Sequence, residues 1–140
     1  MAPWEILPHP SDLLVRVSAR DRRELFAEAV RSTFQLCARP VGGWPSAIET
    51  REIAAGGDDE AAVLRRLLSD CLHEFESDGF LARDVEVEAI GPRECRVRLA
   101  GACFRPDQLE VAHVIKAVTW HGLAIRDERD RVCAEILHDL

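Results

Sequence analysis

The sequence predicts an α+β domain in which two helices pack on one face of a mixed, largely antiparallel sheet. Two stretches, residues 22–37 and 58–77, repeat apolar side chains at spacings of three and four, which is the period of an amphipathic helix. Much of the remaining chain alternates apolar and polar residues, which is the period of a half-buried strand. With 140 residues, 47% of them hydrophobic, the chain is expected to form a single compact domain that spans residues 1–140.

Both predicted helices have recognisable ends. Asp21 and Glu24 have the spacing of a capping box, so the first helix is expected to begin directly after Asp21. Asp58 is predicted to cap the second helix, because an aspartate side chain can accept a bond from a free amide of the first turn. Gly79 is predicted to end that helix, because glycine readily adopts the left-handed backbone conformation.

Alternation predicts six strands, which follow a short apolar run at residues 4–7. They cover residues 13–19, 48–55, 85–89, 95–102, 111–125 and 131–137. Prolines and glycines in residues 40–45 predict a loop, in which Trp44 is expected to pack against an edge of the core. The alternative is that Trp44 forms part of a surface for a partner. A charged turn is expected at residues 126–130.

The segment VIKAVTWHG, residues 114–122, combines strand-forming side chains with two polar ones, Lys116 and His121. Lys116 is the only lysine among 18 lysines and arginines. A compact ammonium kept where the rest of the chain uses planar guanidinium groups indicates a site that needs a point charge. The alternative is that Lys116 extends from a strand edge into solvent and has no further role.

Composition excludes several classes of protein. The net charge of −7 argues against non-specific binding to nucleic-acid phosphates. No DNA partner is therefore expected, and RNA would be reached only through another protein. No stretch approaches the roughly twenty apolar residues of a membrane helix, so no membrane partner is expected and the location is predicted to be cytoplasmic. The five cysteines contain no CxxC pair and are expected to be reduced core residues.

Carboxylates near strand ends are the best candidates for chemistry. Asp12 precedes a predicted strand, and Asp139 lies next to Leu140, which carries the free carboxylate of this sequence. Two or three such oxygens at one end of a sheet would suit a hard divalent cation, and histidines are available for a softer one. Calcium is the expected ion. The alternative is that Asp12 forms a turn and Asp139 is merely solvated.

Three motifs resemble the signatures of the archease family. They are HPSD at residues 9–12, KAVTWHG at residues 116–122 and ILHDL at residues 136–140, and they occur in the family's order. The likeness covers nearly the whole chain. Archeases are small α+β proteins that act with the RtcB-type RNA ligase, which joins RNA ends in tRNA splicing and RNA repair. The resemblance implies an accessory protein that promotes guanylylation of the ligase with GTP and supports its repeated turnover.

The resemblance also assigns residues. It implies that Asp12 and Asp139 bind the metal ion, and that Lys116 is the functional lysine. The chain departs from the family's usual pattern at Pro10, Ser11, Val114 and His138. No role is assigned to His9, His121 or His138.

Two other functions remain open. A metal-dependent hydrolase could use the same carboxylates, with Lys116 stabilising developing negative charge. A chaperone-like interaction protein would need neither a metal nor a ligase. The expected function is the accessory one, in which the protein turns over no substrate itself.

Overall fold

The computed structural model describes residues 3–9, 11–119 and 122–140. Within these residues, the chain begins with β1 (Trp4–Leu7), β2 (Leu13–Ala19), α1 (Arg22–Cys37), β3 (Ala38–Pro40), β4 (Glu49–Gly56), α2 (Glu60–Asp78) and β5 (Phe80–Ile90). It continues with β6 (Glu94–Cys103), a short 3-10 helix (Pro106–Gln108), β7 (Leu109–Val111), β8 (Ala117–Val118), β9 (Ala124–Glu128) and β10 (Arg131–Asp139).

The described strands form three sheets. The largest has five strands in the order β1-β2-β10-β8, with β9 also paired to β10. β9 pairs with the first half of β10 and β8 with its last two residues, so both lie along the edge of β10 that faces away from β2. A second sheet has the order β4-β6-β5, and β3 pairs with β7 in a two-stranded ribbon.

The predicted fold class is confirmed, since two helices pack against largely antiparallel sheets. Every pairing between described strands is antiparallel, and the strands divide into three sheets rather than joining in one. The reason is that alternation specifies which face of a strand is buried but not which strand lies beside it.

The helices cover one hydrophobic core. α1 packs against β2, β5 and β10, while α2 packs against β4, β5, β6 and β8. The buried stripe of α2 is Val63, Leu64, Leu67, Leu68, Cys71 and Leu72. Within the described residues, both helices fall short of the length and apolar character that a membrane crossing demands.

The helix ends follow the sequence with one correction. Asp21 accepts a bond from the Glu24 amide at 2.9 Å, as predicted. The cap of α2 is Asp59, which accepts from the Ala62 amide at 2.8 Å, so the prediction of Asp58 was wrong by one residue. Asp58 and Asp59 are equally suitable caps by residue type, and only the path of the chain decides which side chain faces the first turn of the helix. Gly79 ends α2 with φ of 73°, as predicted.

The predicted strand at residues 111–125 was wrong. The chain is irregular over residues 112–116, and Val114 is 73% exposed. Among the described residues of this stretch, regular pairing occurs only in β7, β8 and β9, because a strand forms where an edge is available and not wherever side chains favour a pleated backbone. Trp120 and His121 lie outside the described residues.

Three smaller predictions were also wrong in detail. The charged turn is shorter than residues 126–130, because β9 continues to Glu128 and the turn falls at Arg129 and Asp130. β10 runs to Asp139 instead of ending at residue 137. Four cysteines are buried, but Cys103 is exposed and its thiol lies 3.1 Å from Glu49 Oε1.

Trp44 packs as expected. Its side chain is half-buried against the core, and its ring meets that of Phe104 edge-on at 5.4 Å between centroids. This contact closes the loop of residues 41–48 over the end of the second sheet.

Replacing Asp59 by alanine is expected to lower the free energy of unfolding by about 1 kcal/mol, because the Ala62 amide loses its acceptor. Asp58→Ala is the matched control and should change that free energy by less than about 0.5 kcal/mol. Urea denaturation of both variants measures the difference. Equal losses in the two variants would contradict Asp59 as the cap.

Candidate functional site

Strand pairing brings the two candidate aspartates to the same end of the five-stranded sheet. Leu13, the first residue of β2, is paired with His138 near the end of β10. Asp12 directly precedes Leu13, and Asp139 directly follows His138. Because the strands are antiparallel, the start of β2 and the end of β10 coincide, so Asp12 and Asp139 lie at one end of neighbouring strands.

Lys116 reaches the same end from the other edge of β10. Asp139 is paired with Ala117 of β8, and the Lys116 amide donates to the Asp139 carbonyl at 2.7 Å. The Lys116 side chain is exposed. Its ammonium forms no ion pair within residues 3–9, 11–119 and 122–140, and its exposure makes it accessible to a group from outside.

The surroundings of the two aspartates differ. The Asp12 side chain is 22% exposed, and the nearest approach of its Oδ2 to His9 Nδ1 is 4.0 Å, beyond direct hydrogen bonding. Asp139 and Leu140 are exposed. Ser11 is exposed too, while Pro10 falls outside the described residues.

The donors at this end fit a hard cation in their chemistry. Aspartate carboxylates are among the oxygen ligands that calcium takes. Across the part of the chain that the structure describes, no group of three or more His, Cys, Asp or Glu side chains is placed to hold a metal ion. A cation here would therefore rest on the pair Asp12 and Asp139, with water completing its coordination.

His138 is buried beneath this end, on the face that the helices cover. It is 0% exposed, and its Nδ1 donates to the Leu13 carbonyl at 3.3 Å. Burial lowers the pKa of His138 below its usual 6.5, so the ring is neutral at pH 7. His138 thus joins the end of β10 to the start of β2 without placing a charge in the core, and this bond fixes the backbone beside Asp12.

Sequence reasoning missed two residues that shape this end. The burial of His138 follows if the alternation of β10 is continued past residue 137, since Ala134 and Ile136 share its face. Arg65 of α2 is the second, because its Nε donates to the Val118 carbonyl at 3.2 Å. Its signal in the sequence is slight, since it is one of two adjacent arginines beside an apolar stripe.

Comparison with known proteins identifies the family. The model of the Archease protein family matches residues 4–140. The chain is 33% identical to the protein archease of Methanopyrus kandleri, with 99% of each chain covered. It is 25% identical to the protein archease of Thermococcus kodakarensis over the full length of both.

Solved structures show the same fold. The solution structure of protein 1598 of Methanobacterium thermoautotrophicum has a TM-score of 0.78 at 20% identity, covering all of both chains. The crystal structure of an archease of Thermotoga maritima, described as a possible chaperone, has a TM-score of 0.64 at 16% identity, with 97% of this chain and 96% of that one covered. At these identities the likeness concerns the fold alone. Because the family model matches nearly the whole length of the chain, the chain belongs to the archease family.

Proposed function

We propose that this protein is an accessory activator of an RtcB-type RNA ligase, promoting guanylylation of the ligase and its turnover in tRNA splicing or RNA repair. Membership of the archease family supports this proposal. The observation that carries it is the meeting of Asp12, Asp139 and the exposed Lys116 at one end of the five-stranded sheet. An exposed group of this kind is accessible to a partner protein.

The exposure of the Lys116 side chain supports a role in contact. Many arginines of the chain are engaged by acidic side chains, as Arg22 is by Glu60 and Asp127, and Arg51 is by Asp78. Lys116 has no such partner among the described residues. We propose that it meets an anionic group of the ligase or of its bound nucleotide.

The carboxylates are proposed to hold a divalent cation, with calcium as the expected ion. Asp12 and Asp139 would bind it, together with the terminal carboxylate of Leu140. The bound ion would offset the negative charge of these groups and hold the ends of β2 and β10 in one arrangement. Lys116 would then lie beside a neutralised site rather than beside free carboxylates.

The partner is proposed to be the ligase, with RNA reached only through it. The net charge of −7 supports this view, because an acidic protein is repelled by nucleic acid unless a basic face is exposed. The protein would work in the cytoplasm as a protein cofactor and would turn over no substrate itself.

Addition of the purified protein to an RtcB-type ligase, with GTP and a divalent ion, tests the proposal directly. The expected result is faster formation of the guanylylated ligase and repeated joining of RNA ends by each ligase molecule. A ligase whose guanylylation rate and number of turnovers are unchanged by the protein would contradict the proposal.

A chaperone-like role is the second candidate, favoured by the description of the Thermotoga maritima relative. It predicts suppressed aggregation of unrelated unfolded proteins and no requirement for GTP. The hydrolase alternative predicts product formation when the ligase is omitted. Both controls belong in the same assay and separate the three functions.

Asp12→Ala and Asp139→Ala are each expected to weaken calcium binding by about tenfold or more, since even loss of a residue that only supports a metal ligand costs about that much. The free energy of unfolding without metal should change by less than about 0.5 kcal/mol, because both residues lie at strand ends and their removal lessens repulsion between like charges. Calorimetric titration with calcium measures the affinity.

Asp130→Ala provides the matched control for this titration. Asp130 is an exposed aspartate in the turn before β10, at the far end of that strand from Asp139. Its replacement should leave calcium affinity unchanged. Wild-type affinity in both Asp12→Ala and Asp139→Ala would show that these carboxylates are not the ligands.

A further inference from the structure

We infer that Arg65 of α2 is a positioning residue for Lys116, an inference that rests on the proposed function. Arg65 is half-buried on the flank of the apolar stripe, and its Nε donates to the Val118 carbonyl of β8 at 3.2 Å. Val118 lies two residues beyond Lys116. The guanidinium therefore ties a helix of the core to the short strand that follows the functional lysine.

β8 is a strand that needs such a tie. It has two residues, Ala117 and Val118, and the segment of residues 112–116 before it is irregular. On the side of β10 it forms only the two ladder pairs Ala117–Asp139 and Val118–His138. The Lys116 amide also donates to the Asp139 carbonyl, and the Thr119 amide donates to the Leu137 carbonyl at 2.9 Å. With so few backbone bonds, one additional bond from a side chain is a large share of its attachment.

The Val118 carbonyl oxygen also needs a hydrogen-bond donor. Val118 is 1% exposed and paired with His138, and the Thr119 bond to Leu137 marks that pair as the kind whose own polar groups point away from the neighbouring strand. A buried carbonyl without a donor is costly. Arg65 supplies the donor, and because the donor is charged the bond is stronger than a neutral one.

The geometry links this bond to function. Lys116 has no ion pair to fix its side chain within the described residues, so its position depends on the backbone of residues 116–119. That backbone is held by β10 on one edge and by Arg65 on the other. Loss of the Arg65 bond is expected to leave the fold intact but to loosen the strand, so that the backbone carrying Lys116 no longer keeps a fixed position relative to Asp139.

Amide hydrogen exchange of Arg65→Ala tests the structural half of the inference without any ligase. The Lys116 and Thr119 amides are expected to exchange about tenfold faster, the effect of losing one charged hydrogen bond. Amides in the middle of β2 should keep their wild-type rates. Arg66→Ala is the matched control, since Arg66 is exposed and pairs with Asp70 on the same helix. Wild-type rates for Lys116 and Thr119 in Arg65→Ala would overturn the inference.

Ligase stimulation tests the functional half. Arg65→Ala is expected to lower the stimulated rate of guanylylation about tenfold, in proportion to the loosened strand. Arg65→Lys should restore most of it, because a single bond to one carbonyl needs one charged donor and not a planar fork. Arg66→Ala should stimulate like the wild type.

Lys116→Ala, measured beside these variants, distinguishes failure of the proposed role of Lys116 from failure of the positioning role of Arg65. Full stimulation by Lys116→Ala would overturn the proposed role of the lysine, and with it the functional half of this inference. Full stimulation by Arg65→Ala beside a failing Lys116→Ala would overturn only the positioning role. Loss of stimulation in Arg65→Ala that Arg65→Lys does not restore would likewise count against positioning.

Discussion

Lys116→Ala is expected to lower ligase guanylylation to no more than about a tenth of the wild-type stimulation, the size of effect that loss of one positioned charge produces. Lys116→Arg should fail almost as badly. The guanidinium keeps the charge, but it is wider and planar and does not fit a site shaped for a compact ammonium. Because Lys116 is exposed and without an ion pair in the described residues, neither variant should lose stability.

Thermal melts and a matched variant complete this experiment. Arg93→Ala replaces an exposed cation in the turn between β5 and β6, on a different sheet, and should stimulate fully. Wild-type stimulation by Lys116→Arg would contradict the need for a point charge and leave only a need for positive charge. Wild-type stimulation by Lys116→Ala would remove the lysine from the site.

Gly101→Ala is expected to be the most destabilising single substitution considered, at about 3 kcal/mol or a fall in melting temperature of about 10 °C. A Cβ at Gly101 of β6 would lie 1.8 Å from the Leu81 carbonyl oxygen and 2.9 Å from the Ala82 Cα. Both are backbone atoms of the neighbouring strand β5, so no side-chain rotation can relieve the overlap. β5 and β6 would have to separate next to the core.

Gly56→Ala is the control for this substitution, because it makes the same chemical change in a strand of the same sheet. Its Cβ would meet only the Arg93 carbonyl oxygen at 3.5 Å, an ordinary contact. The free energy of unfolding should therefore change by less than about 1 kcal/mol. An equal fall in the free energy of unfolding in the two variants would contradict this prediction. It would show that the close approach of the two strands at Gly101 does not add to the effect of replacing a β-sheet glycine.

Local sequence determined the elements whose signals lie within a few residues. α1 begins after Asp21 and covers residues 22–37 as predicted, because a cap and an apolar stripe are both set by near neighbours. β2 likewise matches its alternating stretch, residues 13–19. These features needed no knowledge of what packs against them.

Residues 111–125 show where local signals end. The side chains there favour a strand, yet among the residues that the structure describes only Val111, β8 and the start of β9 are in strands. One edge of β10 is divided between β9, which takes residues 131–135, and β8, which takes residues 138–139. Residues 112–116, which lie between β7 and β8, belong to no strand pairing, so β-propensity is not realised there.

The candidate site divides in the same way. The sequence by itself marked Asp12, Lys116 and Asp139, through the single lysine, the carboxylates near predicted strand ends and the family motifs. Their meeting was decided by the strand order β2-β10-β8, which joins segments from opposite ends of the chain. Alternation cannot encode that order, because a strand with one buried face can pair with any neighbour that buries the same face. The supporting bonds of His138 to Leu13 and of Arg65 to Val118 depend on that packing, and only the tertiary structure could place them.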